Sequence, residues 1–354
     1  MLIGIPMRLY ICLVCLLFSF SKNASAAVIL QYHHVSETTP SSTSISPTLF
    51  EQHLDYLVQN KFEVVSLNKI IQTIKKGLPV SDNWVAITFD DGYKNVLTNA
   101  HEKLVARGFA YTIFVNPGLI DIRASGHLSW EQLNSMAKDN VEISNHSWDH
   151  LHMVRQLENE SPTQWKERLK QNILMAEARI KEMTGQNNQV LVYPYGEFNS
   201  EIQKLLTELD FIGVGQHSGA VDEFTNLTRI PRFPANGIYA KLETLKTKLK
   251  TKAFEIVNYP DQPMITMDSN PEIIIGLNVK DFNLNQLVCY CGGEVMTPKW
   301  LSENKFKIKA TQKLKPGRNK YICTARSIKQ PEFYYWFSQP WMILNPDGSW
   351  YEEG

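Results

Sequence analysis

Apolar positions along the first two-thirds of the chain follow two alternating periods. Short apolar runs at 28–32, 62–66, 84–87, 110–115, 141–146, 190–193 and 211–215 read as buried strands. Between them, segments at 47–59, 67–76, 94–107, 130–138 and 165–183 space their apolar residues as amphipathic helices do. Phe50, Leu54, Leu57 and Val58 share one such face, and Leu169, Ile173, Ala176, Ile180 and Met183 share another, stopped by Gly185. Ser129 is placed to cap the helix that begins at Trp130. Asn199 or Ser200 opens a further helix carrying Ile202, Leu205, Leu206 and Leu209. Strands alternating with helices over this length predict parallel β/α architecture.

The polar residues are as regular as the apolar ones. Successive strands are apolar inside and polar at the C-terminal end: His33-His34, Asp90-Asp91, His146, Tyr195 and His217. A β/α barrel builds its site at that face, so these ends are expected to converge.

After about residue 252 the texture changes. Residues 259–263 read as a linker, and short strand-like runs follow at 273–275, 287–291 and 305–308. Tyr321 stands two residues before Cys323 and after a Pro316-Gly317 turn, which resembles the tyrosine corner of immunoglobulin-like sandwiches. The expected organisation is a leader at 1–26, a β/α domain at 27–255 and a small all-β sandwich at 264–354. Tyr334, Tyr335, Trp336 and Trp341 are expected to pack in the core or between domains, with stacking on the rings of a ligand as the alternative.

Lys plus Arg and Asp plus Glu are 36 each in 354 residues, so bulk charge argues for neither nucleic acid nor an anionic membrane. Arg8, the apolar stretch 9–18 and Ala24-Ser25-Ala26 form a secretory signal pattern with cleavage expected after Ala26, leaving no stable membrane span. Export to the periplasm, cell surface or medium permits a disulfide. Cys323 is expected to pair with Cys289 or Cys291, which share a strand face under period-2 alternation, so the sequence does not choose.

Candidate chemistry sits at two strand ends. Asp90 and Asp91 close a buried strand, where two carboxylates need a cation or a hydrogen-bond network. His146 and His150 are four apart, so both imidazoles can reach one ion in a helical turn. Two His and a carboxylate suit a divalent metal with open positions. His152 reads as a bystander, and His53 and His101 as surface residues on helices.

Thr88-Phe89-Asp90-Asp91-Gly92, His146-Ser147-Trp148-Asp149-His150 and Tyr193-Pro194-Tyr195-Gly196, in this order and spacing, resemble the motifs of the NodB-homology polysaccharide deacetylases. The resemblance covers roughly 27–250 and implies a distorted (β/α) barrel. It also implies removal of N-acetyl groups from amino-sugar polymers with a divalent ion, zinc foremost, then cobalt, nickel or iron. It makes Asp90 the general base, Asp91, His146 and His150 the metal ligands, and the Tyr195 amide the oxyanion donor. The third motif usually begins with an Arg that orients the base, but Val192 stands there. Slow turnover is expected from that loss, with Arg229 and Arg232 as candidate substitutes for the missing Arg. The family's late Leu-x-His acid motif is not evident. Tyr32-His33-His34-Val35 near the start instead resembles the branch acting on poly-β-1,6-N-acetylglucosamine of biofilms, and makes His33 the general acid. Trp148 is expected to wall the pocket, and His217 and Arg232 to contact substrate. Exopolysaccharide export machinery is an implied partner. The alternatives are a deacetylase of chitin oligomers or peptidoglycan, or a non-catalytic sugar-binding relative.

Overall fold

The computed structural model describes residues 25–258, 264–278 and 281–352. Most of the leader and the expected linker at 259–263 lie outside the described residues. A parallel sheet forms the first two-thirds, in the order Phe233–Pro234, Val28–Tyr32, Trp84–Phe89, Tyr111–Val115, Val141–Asn145, Val190–Val192, Ile212–Val214. Glu63–Val64 pairs with the Trp84 end off this path. The segment 230–234 joins the two sheet ends. Ile230 bridges to Val214, while Phe233 and Pro234 pair with Leu30 and Gln31. The sheet therefore curls into a distorted (β/α) barrel.

Strand alternation divides the interior. Leu30 and Tyr32, with Ile87 and Phe89, feed one apolar cluster under helix Pro47–Gln59, through its buried Phe50 and Leu54. Ile29 and Ala86 feed the opposite cluster, with Phe114, Val192, Val214 and Ile230. Gln31, His33, Thr88 and Asp90 share parity with Ile29 and Ala86, so a polar file ends that second face. Thr88 pairs in register with Gln31.

The helices largely follow the apolar spacing, with two differences. The expected helix at 94–107 is broken into Lys94–Val96, a π-helical turn Leu97–His101, and Glu102–Val105. The long helix starts earlier than expected, at Pro162, because Ser161 and Gln164 form a reciprocal capping box. His53 is not a surface residue. It is fully buried, with Nδ1 2.9 Å from the Tyr32 hydroxyl and Nε2 2.8 Å from the Ala240 carbonyl. Burial pushes its pKa down to about 4, with the Ala240 bond opposing. His101 is half-buried against the Tyr111 hydroxyl.

The C-terminal part forms two sheets around a second core that includes Ile273, Ile275, Phe306, Tyr321 and Trp341. One sheet runs Thr251–Ala253, Tyr334–Ile343, Gly317–Arg326, Val288–Cys291, Glu294–Met296, with Ile265–Thr266 also on Tyr334–Ile343. The other runs Ile256–Asn258, Glu272–Leu277, Lys305–Lys309, Lys299–Ser302. These sheets recruit strands from Thr251 onward, ahead of the expected boundary at 264. Cys289 and Cys323 face each other in register and are bonded, while Cys291 is buried and free. Tyr335 and Trp341 are core residues, and Trp336 packs edge-on against Phe233 of the barrel with centroids 5.3 Å apart. No helix among the described residues is long and apolar enough to cross a membrane.

Candidate active site

Asp90 and Asp91 leave the strand Trp84–Phe89 in opposite roles. Asp90 is fully buried. Its Oδ1 accepts from Arg232 Nη1 at 2.7 Å, and its Oδ2 from Arg232 Nη2 at 2.8 Å and Gln31 Nε2 at 2.9 Å. A carboxylate has roughly four acceptor sites, so one remains, on Oδ1. Burial works to raise the Asp90 pKa, but the charge and hydrogen bonds of Arg232 prevail and hold it below the usual range.

Asp91 then turns into left-handed backbone at φ 69°, followed by Gly92 at φ 67°. Glycine suits the second position, because it holds this φ without strain and a Cβ there would press on Val115 Cγ1 at 3.0 Å. The turn sends the Asp91 carboxylate towards the loop after strand Val141–Asn145. That loop is pinned by amides. Asn145 Oδ1 accepts from the Ser147 N–H at 2.8 Å, and Asn172 Oδ1 from the Trp148 N–H at 2.8 Å. Asn116 Nδ2 donates to the His146 carbonyl. Ser147 and His150 also adopt positive φ, 67° and 58°. Such residues cost on the order of 1–3 kcal/mol each and cluster where surroundings impose them.

His146 Nδ1 lies 2.9 Å from the Val192 carbonyl, so it carries the proton there and leaves a lone pair on Nε2. Nε2 faces Asp91 Oδ1 at 3.1 Å, and His150 Nε2 faces the same oxygen at 3.4 Å. Asp91 Oδ1 and His146 Nε2 are buried, with no well-aligned hydrogen bond among the described residues. Acceptors facing one another this closely need a cation or a proton between them. The three ligand atoms lie within 4.8 Å of one another, which fits a divalent ion. The electrostatics agree. Burial acts to lower the His146 pKa, but Asp91 outweighs it and raises it. His150 is pushed down to about 4, by burial first and the neighbouring His146 second.

The adjacent histidines of the first strand end face different ways. His33 Nε2 is 3.8 Å from Asp90 Oδ2, and its Nδ1 has no hydrogen-bond partner among the described residues. His34 turns away, stacked on Tyr93 at 3.6 Å and bonded to Asn95 at 2.8 Å. Tyr195 follows Pro194 in left-handed conformation at φ 58°, its ring 4.5 Å from that of His150. Trp148 is half-buried and lies against Gly118, where a Cβ would fall 2.6 Å from its Nε1.

Three expectations change. Arg232 is not a substrate contact: it is fully buried, and its guanidinium is committed to Asp90, to Thr88 at 2.9 Å and to the Gly215 carbonyl at 3.0 Å. It supplies the orienting charge missing at Val192, so the reason for slow turnover is removed. Arg229 points elsewhere, to Gln339 at 3.3 Å. His217 is 5% exposed, beside Phe198, and lines a small pocket with Asp222, Phe254 and Trp336 rather than the site mouth. His152 is no bystander, since it bonds Glu197 at 2.8 Å and stacks on Tyr195. Spacing could not flag Asn145 or Asn172, whereas the period-2 parity of Gln31 with His33 was a usable signal for Gln31.

Fold and site together define a β/α-barrel protein with a metal-type cluster at the C-terminal mouth of its strands. Residues 77–214 match the family described as polysaccharide deacetylase. It is 29% identical over 195 residues to YxkH of Bacillus subtilis (strain 168), which carries a polysaccharide deacetylase name, covering 54% of this chain. It is 20% identical over 301 residues to the poly-beta-1,6-N-acetyl-D-glucosamine N-deacetylase of Escherichia coli (strain K12), covering 73% of this chain. The matches span 65% and 45% of those two relatives' own lengths. The fold is shared with IcaB from Ammonifex degensii, at TM-score 0.53 and 23% identity, over 61% of this chain and 94% of that one. It is also shared with the deacetylase PplD of Streptococcus pyogenes, at TM-score 0.57 and 20% identity, over 64% and 99%.

Proposed function

We propose that this protein hydrolyses N-acetyl groups from N-acetylglucosamine residues of an extracytoplasmic polysaccharide, and that the polymer is the β-1,6-linked one of biofilms. The observation that carries the reading is the pairing of two carboxylates with opposite tasks. Asp90 is kept ionised by Arg232, beside an Asp91–His146–His150 cluster built for a cation. The named E. coli relative and the His33 placement beside Asp90 support the choice of polymer.

The reaction adds water across the amide and yields acetate and a free amine. Asp91, His146 and His150 would hold the ion, zinc in our reading, which would supply Lewis acidity towards the acetyl carbonyl and the water. The rest falls to the chain's own groups. Asp90 takes the water proton on its remaining Oδ1 site. The Tyr195 amide donates to the developing oxyanion. His33 gives a proton to the departing nitrogen, since an amide anion is a very poor leaving group. Its ring borders Asp90 without sharing its hydrogen bonds, so the two act on separate protons. Trp148 walls the sugar site.

The protein is read as exported by its leader, with an exopolysaccharide export system as its partner. The C-terminal sheets are read as an immunoglobulin-like sandwich. The Tyr321 hydroxyl donates 2.8 Å to the Pro271 carbonyl and accepts from the Ala310 N–H, which ties its strand to the facing sheet and supports that reading. Acetate release from poly-β-1,6-N-acetylglucosamine, chitin oligomers and peptidoglycan fragments tests the function. Release from the first, lost in Asp90→Asn, is expected. Release only from the others refutes the linkage, and binding without release refutes catalysis.

A further inference from the structure

The C-terminal sheets meet the barrel at the loop that carries Tyr195. Glu197 is only 1% exposed, two residues beyond Tyr195. Its carboxylate collects donors from both halves of the chain. His152 Nδ1 lies 2.8 Å from Oε2, offered by the loop that carries His146 and His150. On Oε1, the Tyr351 hydroxyl donates at 2.6 Å and Arg318 Nη1 at 3.2 Å, both from the C-terminal part. Ionised, Glu197 is acceptor-only, so all three are charge-assisted donors to one carboxylate.

These bonds bear on Tyr195 directly. The His152 ring lies flat on the Tyr195 ring, centroids 3.7 Å apart and planes at 6°. The Arg318 guanidinium sits over the same ring at 5.4 Å. Two residues along the strand Gly317–Arg326, on the same face by parity, Lys320 donates 3.1 Å to the Gln216 carbonyl. The Gln216 side chain occupies the space where a Cβ on Gly196 would sit, at 2.7 Å. One strand of the C-terminal part thus closes over residues 195–197. Tyr195 needs such closure, because a non-glycine residue at φ 58° and ψ 2° persists only where its surroundings over-determine it.

We propose that Glu197 is a positioning residue, locked by Arg318 and Tyr351 of the C-terminal part so that the Tyr195 amide is aimed at the reacting carbonyl. The C-terminal part is then a wall of the active site as well as an appended module. The proposal rests on the deacetylase reading for what Tyr195 does, but its structural half does not.

The test uses the full chain, with Tyr351→Phe and Arg318→Met, each keeping most of its apolar bulk, and Arg318→Lys as the conservative control. Deleting a whole oxyanion donor costs about 10²–10³ in kcat, so a misaimed one should cost less. Each single variant should lower kcat by roughly 3–10-fold, and the pair by about 10–100-fold, at unchanged KM and unchanged bound metal. Arg318→Lys should recover part of the loss. Amide hydrogen exchange of the peptide covering 194–197 should quicken in the same variants, whether or not a substrate is known. Unchanged kcat and unchanged exchange in Tyr351→Phe plus Arg318→Met overturn the proposal. Lower melting temperature with kcat intact also overturns it, because support would then be merely structural. If the wild type releases no acetate from any polymer while exchange still quickens, the lock stands and the deacetylase reading fails.

Discussion

Replacing Arg232 by Met should damage the protein in two separable ways. Both Arg232 and Asp90 are wholly buried, joined by two bonds of 2.7 and 2.8 Å. Removing one partner of such a pair strands a charge and costs about 3–5 kcal/mol. The second effect is on Asp90, the proposed base. Burial is the largest influence on Asp90 and acts to raise its pKa, so without Arg232 that influence prevails. In the wild type, the depressed pKa keeps Asp90 ionised until pH falls well below the usual carboxylate range. In the variant, the ionised form should be lost at higher pH. Opposite charges at this distance shift a carboxyl by about 1–3 units, so the acid limb of kcat/KM should move up by about 2 units. The assay is acetate release against pH, alongside urea unfolding. Asp90→Asn combined with Arg232→Met should recover part of the stability, since no charge is left stranded. An unshifted acid limb in a folded Arg232→Met protein would refute the assignment of Arg232 as the group that keeps the base ionised.

Three further outcomes are expected. Chelation should abolish acetate release and a divalent ion restore it, while His146→Ala should lose bound metal by elemental analysis; full activity without metal would defeat the ligand set. His33→Ala should lose at least about 10²-fold in turnover, the usual scale for a general acid, with metal retained, whereas His34→Ala should lose much less; the reverse order would place the acid one residue along. His53 has a folded pKa near 4 against 6.5 for the free group, so the unfolded chain binds more protons between these values. Its contribution is therefore present above pH 6.5 and lost as pH falls towards 4, on the order of 3 kcal/mol. Melting temperature should fall less steeply over that window in His53→Gln, and an identical slope would remove His53 as the cause.

Much of the barrel was legible because it is local. Most strands from 28 to 215 announce themselves as apolar runs bounded by helices, since they bury both faces, whereas Glu63–Val64 at the margin is exposed and half-buried. The polar strand ends were equally legible, because a buried strand tolerates acid and imidazole only where the chain leaves the core. The three motifs around Asp90, His146 and Tyr195 could be read as one site for that reason. The segment 230–234 carries no such signal. It is too short and too proline-marked to read as a strand, yet it closes the sheet and brings Arg232 to Asp90. The break in the helix at 97–101 was likewise invisible to apolar spacing, which a single π-turn hardly disturbs.

The sequence by itself determined the β/α order, the ends where chemistry gathers, and the residue types available for an ion, a base and an acid. Period and burial dictate these, and both act over a few residues. Only the tertiary structure decided the long-range partners. Cys289 rather than Cys291 meets Cys323, because strand register fixes which sulfur faces which. Arg232 rather than Arg229 meets Asp90, because the closing segment sets which guanidinium points inward. His53 is buried and His152 enlisted because elements far along the chain, at Ala240 and Glu197, come to rest on them. Such contacts depend on how elements pack, and apolar periodicity says which face of an element is buried but not what arrives to bury it.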